Sequence, residues 1–102
     1  MPSPNGEGYP SYKVHNSQAI FNEFEKLQRR ATRQGRGEEF LQAAHEAYER
    51  MSQGPLNFGE PLYRLPAMRL QIRCAVVPPL VFHFAVSEVR PIVYIQAVKV
   101  LS

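Results

Sequence analysis

A chain of 102 residues with 44% hydrophobic and 21% charged residues is long enough for one hydrophobic core and too short for two. Its single cysteine excludes an internal disulfide, and no apolar run is long enough to span a bilayer, so the sequence predicts a cytoplasmic protein with no membrane association. The net charge of +3 is uneven: Pro61–Ser102 carries Arg64, Arg69, Arg73, Arg90 and Lys99 against Glu88 alone, a distribution compatible with a polyanionic partner.

Met1–Ser11 holds Pro2, Pro4, Pro10, Gly6 and Gly8 and predicts a flexible tail, leaving residues 12–102 as one domain. Ser11–His15 alternates as a short strand, and Asn16 or Ser17 can cap the helix that follows. Ile20, Phe24, Leu27 and Ala31 fall on one stripe of that helix, and Gly35 stops it. A second helix is expected from Gly37, with Glu38 and Glu39 in its first turn. It buries Leu41, Ala44, Tyr48 and Met51 and ends at Gly54-Pro55. The short link between the two predicts an antiparallel helical hairpin.

Leu56–Pro66 contains Phe58-Gly59-Glu60-Pro61 and reads as a connector, too rich in Gly and Pro for a helix interior. Over Arg69–Val77 the apolar Leu70, Ile72, Cys74 and Val76 alternate with Arg69, Gln71, Arg73 and Ala75. Side chains on a strand alternate between faces, so this run predicts one apolar side toward the helices and one basic open side. Val77-Pro78-Pro79 breaks it. Leu80–Val86 is a further strand, Ser87–Pro91 a turn, and Ile92–Leu101 the last strand. The fold class is α+β: an N-terminal strand, a helical hairpin, then a three-stranded antiparallel meander with the helices on one face. The expected core packs Phe24, Leu27, Leu41 and Tyr48 against Ile72, Cys74, Phe84 and Ile95.

A strand, a helical hairpin, the Phe58–Leu62 connector and a closing meander together resemble the RelE/ParE superfamily of bacterial toxins, from about Tyr12 to Leu101. The closing pair of strands with an acidic turn, Leu80–Val98, is similar to the family's own. The resemblance implies a toxin-like component of a type II toxin–antitoxin (plasmid stabilisation) system, neutralised by a small acidic antitoxin. Its target would be DNA gyrase or the ribosome with its mRNA. Arg69 and Arg73 stand where the family's second-strand basic pair falls. The third strand, however, begins Pro79-Leu80-Val81 without the arginine of the cutting enzymes, and no catalytic residues follow the last strand. Three functions therefore stay open: a target-binding toxin, a ribosome-dependent mRNA endonuclease, and an inactive toxin-derived interaction domain.

RNA cleavage needs a group to activate the 2′-hydroxyl, cations for the phosphorane and an acid for the leaving oxygen. His83 has the chemistry of a catalytic base or acid. Arg69 and Arg73 are the candidate phosphate ligands, and Tyr94 and Gln96 are placed to stack on or hydrogen-bond a base. All five are expected on the open face, against the plainer reading of a half-buried histidine and solvated arginines. Arg29 and Arg33, in the run Arg29–Arg36, would grip rRNA or an acidic antitoxin, although cations at a helix C-terminus also have a local cause. His45-Glu46 opens a zinc-protease pattern, but Glu49 stands in the second histidine's place, so no metal and no cofactor is expected. Cys74 reads as a buried, inert thiol.

Overall fold

The computed structural model describes residues 11–101. The predicted tail lies outside the described residues apart from Ser11. A short strand β1 (Lys13–His15) leads into helix α1 (Gln18–Arg33) and helix α2 (Gly37–Gln53). Ser17 caps α1, its Oγ accepting from the Ile20 amide at 3.2 Å. Gly35, at φ +75°, takes the left-handed turn that ends it. A single 3-10 turn at Pro55–Asn57 follows α2, then strands β2 (Glu60–Leu65), β3 (Leu70–Val77), β4 (Leu80–Ser87) and β5 (Ile92–Val100). The five strands form one mixed sheet in the order β1-β5-β4-β3-β2, with β1 parallel to β5 and every other pair antiparallel.

The meander has four strands, not three. The expected connector contributes β2, which pairs with β3 from Glu60↔Cys74 to Leu65↔Leu70. Proline lacks a ladder donor, but β2 is an edge strand and its register shifts between Pro61 and Tyr63, so the missing donor is accommodated.

The core forms between the helices and one face of the sheet. Leu27, Phe40, Ala43, Ala44, Ala47 and Met51 pack on Ala75, Val77, Leu80, Phe82, Phe84, Val86, Val93, Ile95 and Val98. Leu41, expected in this core, is 48% exposed, and Tyr48 is half-buried. Ala44 and Met51 belong to two overlapping stripes of α2, and the buried stripe is the one holding Phe40, Ala43 and Ala47. The small alanines let the helix lie close on the sheet.

The face assignment of β3 is inverted relative to the sequence expectation. Arg73, Ala75 and Val77 face the helices, whereas Leu70, Ile72, Cys74 and Val76 lie on the opposite face, which no helix covers among the described residues. Register decides this. β4 offers the stronger apolar side, Leu80, Phe82, Phe84 and Val86, and its partners are Val77, Ala75, Arg73 and Gln71. A shift of one residue in β3 would exchange its two faces, so the phenylalanines of β4 fix which side of β3 is covered. Ile72 and Cys74 are therefore outside the helix-covered core; Ile72 is nonetheless buried, at 3% exposure.

Candidate functional site

Arg73 is buried at 6% exposure on the helix side of β3. Its Nε donates to the Phe58 carbonyl at 3.1 Å and its Nη2 to the Gly59 carbonyl at 3.0 Å, while Nη1 donates to Gln71 Oε1. Burial pulls its pKa below the ordinary arginine value. The two carbonyl bonds tie the segment before β2 onto the sheet, and the Gln71 bond braces the guanidinium along β3. Phe58 stacks on Phe84 with ring centroids 5.7 Å apart, and the Arg50 guanidinium lies 4.6 Å above the Phe58 ring. Gly59 has φ +74°, and a Cβ there would fall 2.2 Å from the Cys74 carbonyl oxygen. Only glycine satisfies both demands. Arg73 is therefore not on the open face where the sequence placed it: three of its five N–H donors are engaged in a structural clamp.

Arg69 is not on the sheet face either. It occupies the turn between β2 and β3 with φ +54°, and its carbonyl accepts from the Glu88 amide at 2.9 Å. Tyr94 lies on the open face, 37% exposed, edge-on to His15 at 5.8 Å. Gln96 is the unpaired residue where the β4–β5 register shifts between His83↔Ala97 and Phe84↔Ile95, and it is exposed. Arg29 and Arg33 are exposed on the C-terminal half of α1, on the helix side of the molecule. The seven residues proposed from sequence are thus not one site. The structure brings only His83, Tyr94 and Gln96 together, on the open face of neighbouring strands.

His83 sits near the centre of that face on β4, opposite Cys74 on β3 and Ala97 on β5. It is half-buried, and its Nδ1 is buried with no hydrogen-bond partner among the described residues. Reading across the sheet, one row is Tyr63, Ile72, Ala85, Tyr94 and His15. The next is Glu60, Cys74, His83 and Ala97, and the third is Val76, Val81 and Lys99. Leu65 and Leu70 extend the first row toward the β2–β3 turn. Tyr63 and Val76 are 56% and 51% exposed. Among the described residues, the only charged side chains on this face are Lys13, Glu60 and Lys99, all toward its margins. A histidine in such surroundings has no arginine beside it to stabilise a phosphorane. The open face is apolar rather than basic.

Sequence reasoning missed Glu60, Tyr63, Val76 and Lys99 as members of this face. The signal was the Val81-His83-Ala85 side of β4: a strand whose second side is also largely apolar has two surfaces to cover.

A cleft of about 570 Å³ lies elsewhere, between α1 and α2, floored by Phe24, Ala44 and Tyr48 and edged by Phe21 and Leu41. Its titratable groups are His45 and Tyr48. Burial raises the Tyr48 phenol above its ordinary 10.0, and its hydroxyl donates to Asn16 Oδ1 at 2.9 Å. The cleft is apolar and lacks a paired acid and base. Among the described residues no group of three or more His, Cys, Asp or Glu is placed to hold a metal ion, and no helix is long and apolar enough to cross a membrane.

No protein-family model matches the chain, and neither a curated protein nor a solved structure matches it.

Proposed function

We propose that the chain is a toxin-like protein-binding domain that acts by holding a partner rather than by cutting RNA. The observation that carries this reading is the uncovered apolar face of the sheet, with exposed Tyr63, Val76 and Tyr94 around half-buried Cys74, Val81 and His83. Contiguous exposed apolar surface marks interaction sites, and aromatic residues are enriched where proteins meet. The positions of the arginines weigh against nuclease chemistry, since Arg73 is a buried clamp and Arg69 lies in a turn. The toxin-like part of the proposal rests on the element order and on the resemblance to RelE/ParE toxins. On the same reading a small acidic antitoxin would meet the exposed Arg29, Arg30, Arg33 and Arg36 at the end of α1, for which no carboxylate lies within ion-pairing distance among the described residues.

Inducible expression of the chain alone tests this. The expected result is growth arrest with mRNA intact, abolished by Val76→Asp at unchanged yield and thermal stability. DNA-damage signalling would identify a gyrase-type target. Cleaved mRNA at the ribosomal A site, lost in His83→Ala, would overturn the non-catalytic reading. An absence of any growth effect would overturn the toxin-like one.

A further inference from the structure

We propose that the open face is occupied by a second copy of the chain, the two sheets packing face to face about a two-fold axis that runs along the strands between β3 and β4. The inference rests on the reading of that face as a protein-binding surface and names its occupant. An isologous interface requires the surface to complement itself, and the axis is placed where it does. It sets β3 of one copy over β4 of the other and β2 over β5. Tyr63 then lies over the partner's Tyr94 and Val76 over Val81, following the rows across the sheet, while Ile72 and Ala85 stay buried beneath them in each copy. The exposed aromatics and Val76 make the contact.

Charge follows the same operation. Glu60 on β2 comes to lie above β5 of the second copy, one row from Lys99, so each dimer gains two reciprocal carboxylate–ammonium pairs at its margins. Cys74 comes to lie over the half-buried His83 of the second copy.

The area is sufficient. Four overlapping strands, β2 to β5, spaced by about 4.8 Å and about 26 Å long would bury on the order of 1,000 Å² in total, the size of a weak, transient interface. Association in the micromolar range follows, rather than an obligate dimer.

Sedimentation equilibrium of the full chain from about 1 µM to about 1 mM brackets that range. The mass is expected to move from 11.7 kDa toward twice that value. Val76→Asp should weaken self-association at least about tenfold. Glu60→Lys and Lys99→Glu should each weaken it, and the two together should restore it, an outcome that misfolding of a single variant cannot imitate. Cys74 should react with a thiol reagent more slowly at high protein concentration than at low. A mass of one chain throughout, or a dimer indifferent to Val76→Asp and to both charge reversals, would overturn the proposal. If the chain stays monomeric while Val76→Asp still abolishes growth arrest, the second copy is wrong and the protein-binding reading survives. If Val76→Asp changes neither, both fall.

Discussion

Removing the Arg73 side chain would release the carbonyls of Phe58 and Gly59, which it holds at 3.1 and 3.0 Å. A buried acceptor left unpaired costs about 1–3 kcal/mol and the Gly59 carbonyl is open to water, so Arg73→Ala is expected to destabilise the chain by about 1–3 kcal/mol in urea unfolding. A surface arginine would change stability by less than about 0.5 kcal/mol, and that result would refute the clamp. Arg69 predicts the opposite sign. Its φ of +54° places a Cβ in the left-handed region, at a penalty of roughly 1–2 kcal/mol that glycine escapes. After the larger unfolded-state entropy of glycine is allowed for, Arg69→Gly should stabilise by about 0.5–1 kcal/mol. Two arginines four residues apart, read from sequence as one phosphate-binding pair, thus have opposite mutational signs.

At the scale of elements, the hairpin was legible because its signals are local. Ser17, Gly35, Glu38 and Gly54-Pro55 bound the two helices by cap and breaker chemistry that needs no tertiary context. What escaped the sequence were choices made by partners: which stripe of α2 is buried, which face of β3 is covered, and whether Glu60–Leu65 pairs at all. The Phe58-Gly59 motif was visible, but its reason, a close approach to the Cys74 carbonyl, belongs to the folded sheet. The turns show the same dependence. Arg64 on β2 donates twice to Glu88 in the β4–β5 turn, both at 2.7 Å, while the Glu88 amide donates to the Arg69 carbonyl. The Arg64 bond holds the Glu88 carboxyl below its ordinary 4.5. A depressed folded-state value means that the stabilisation is present above the ordinary carboxylate range and is lost as pH falls through the folded-state value. The melting-temperature gap between the native chain and Glu88→Gln should therefore be open at neutral pH, narrow below about pH 4, and shrink with salt because the pair is exposed. A gap independent of pH would show that Glu88 acts through packing alone.

For the whole molecule, helices cover one side of the sheet and nothing among the described residues covers the other. The uncovered side carries a row in which Ile72 and Ala85 are buried while Tyr63 and Tyr94 remain exposed at its flanks. A sheet that is apolar on both sides is stable in isolation only to the extent of its first layer, and a second layer adds stability by mass action. If that layer is a second copy, thermal stability must depend on protein concentration. At a free concentration ten times the dissociation constant the linkage is worth about 1.4 kcal/mol, which for a domain of this size raises Tm by on the order of 5–10 °C. The native chain should therefore melt higher as it is concentrated, while Val76→Asp, which sets a carboxylate into the apolar face, should need at least about ten times the concentration for the same rise. Calorimetry over a hundredfold dilution series distinguishes the two. A concentration-independent Tm for the native chain would leave the open face without its second layer in the isolated protein, and its occupant would then be a different protein.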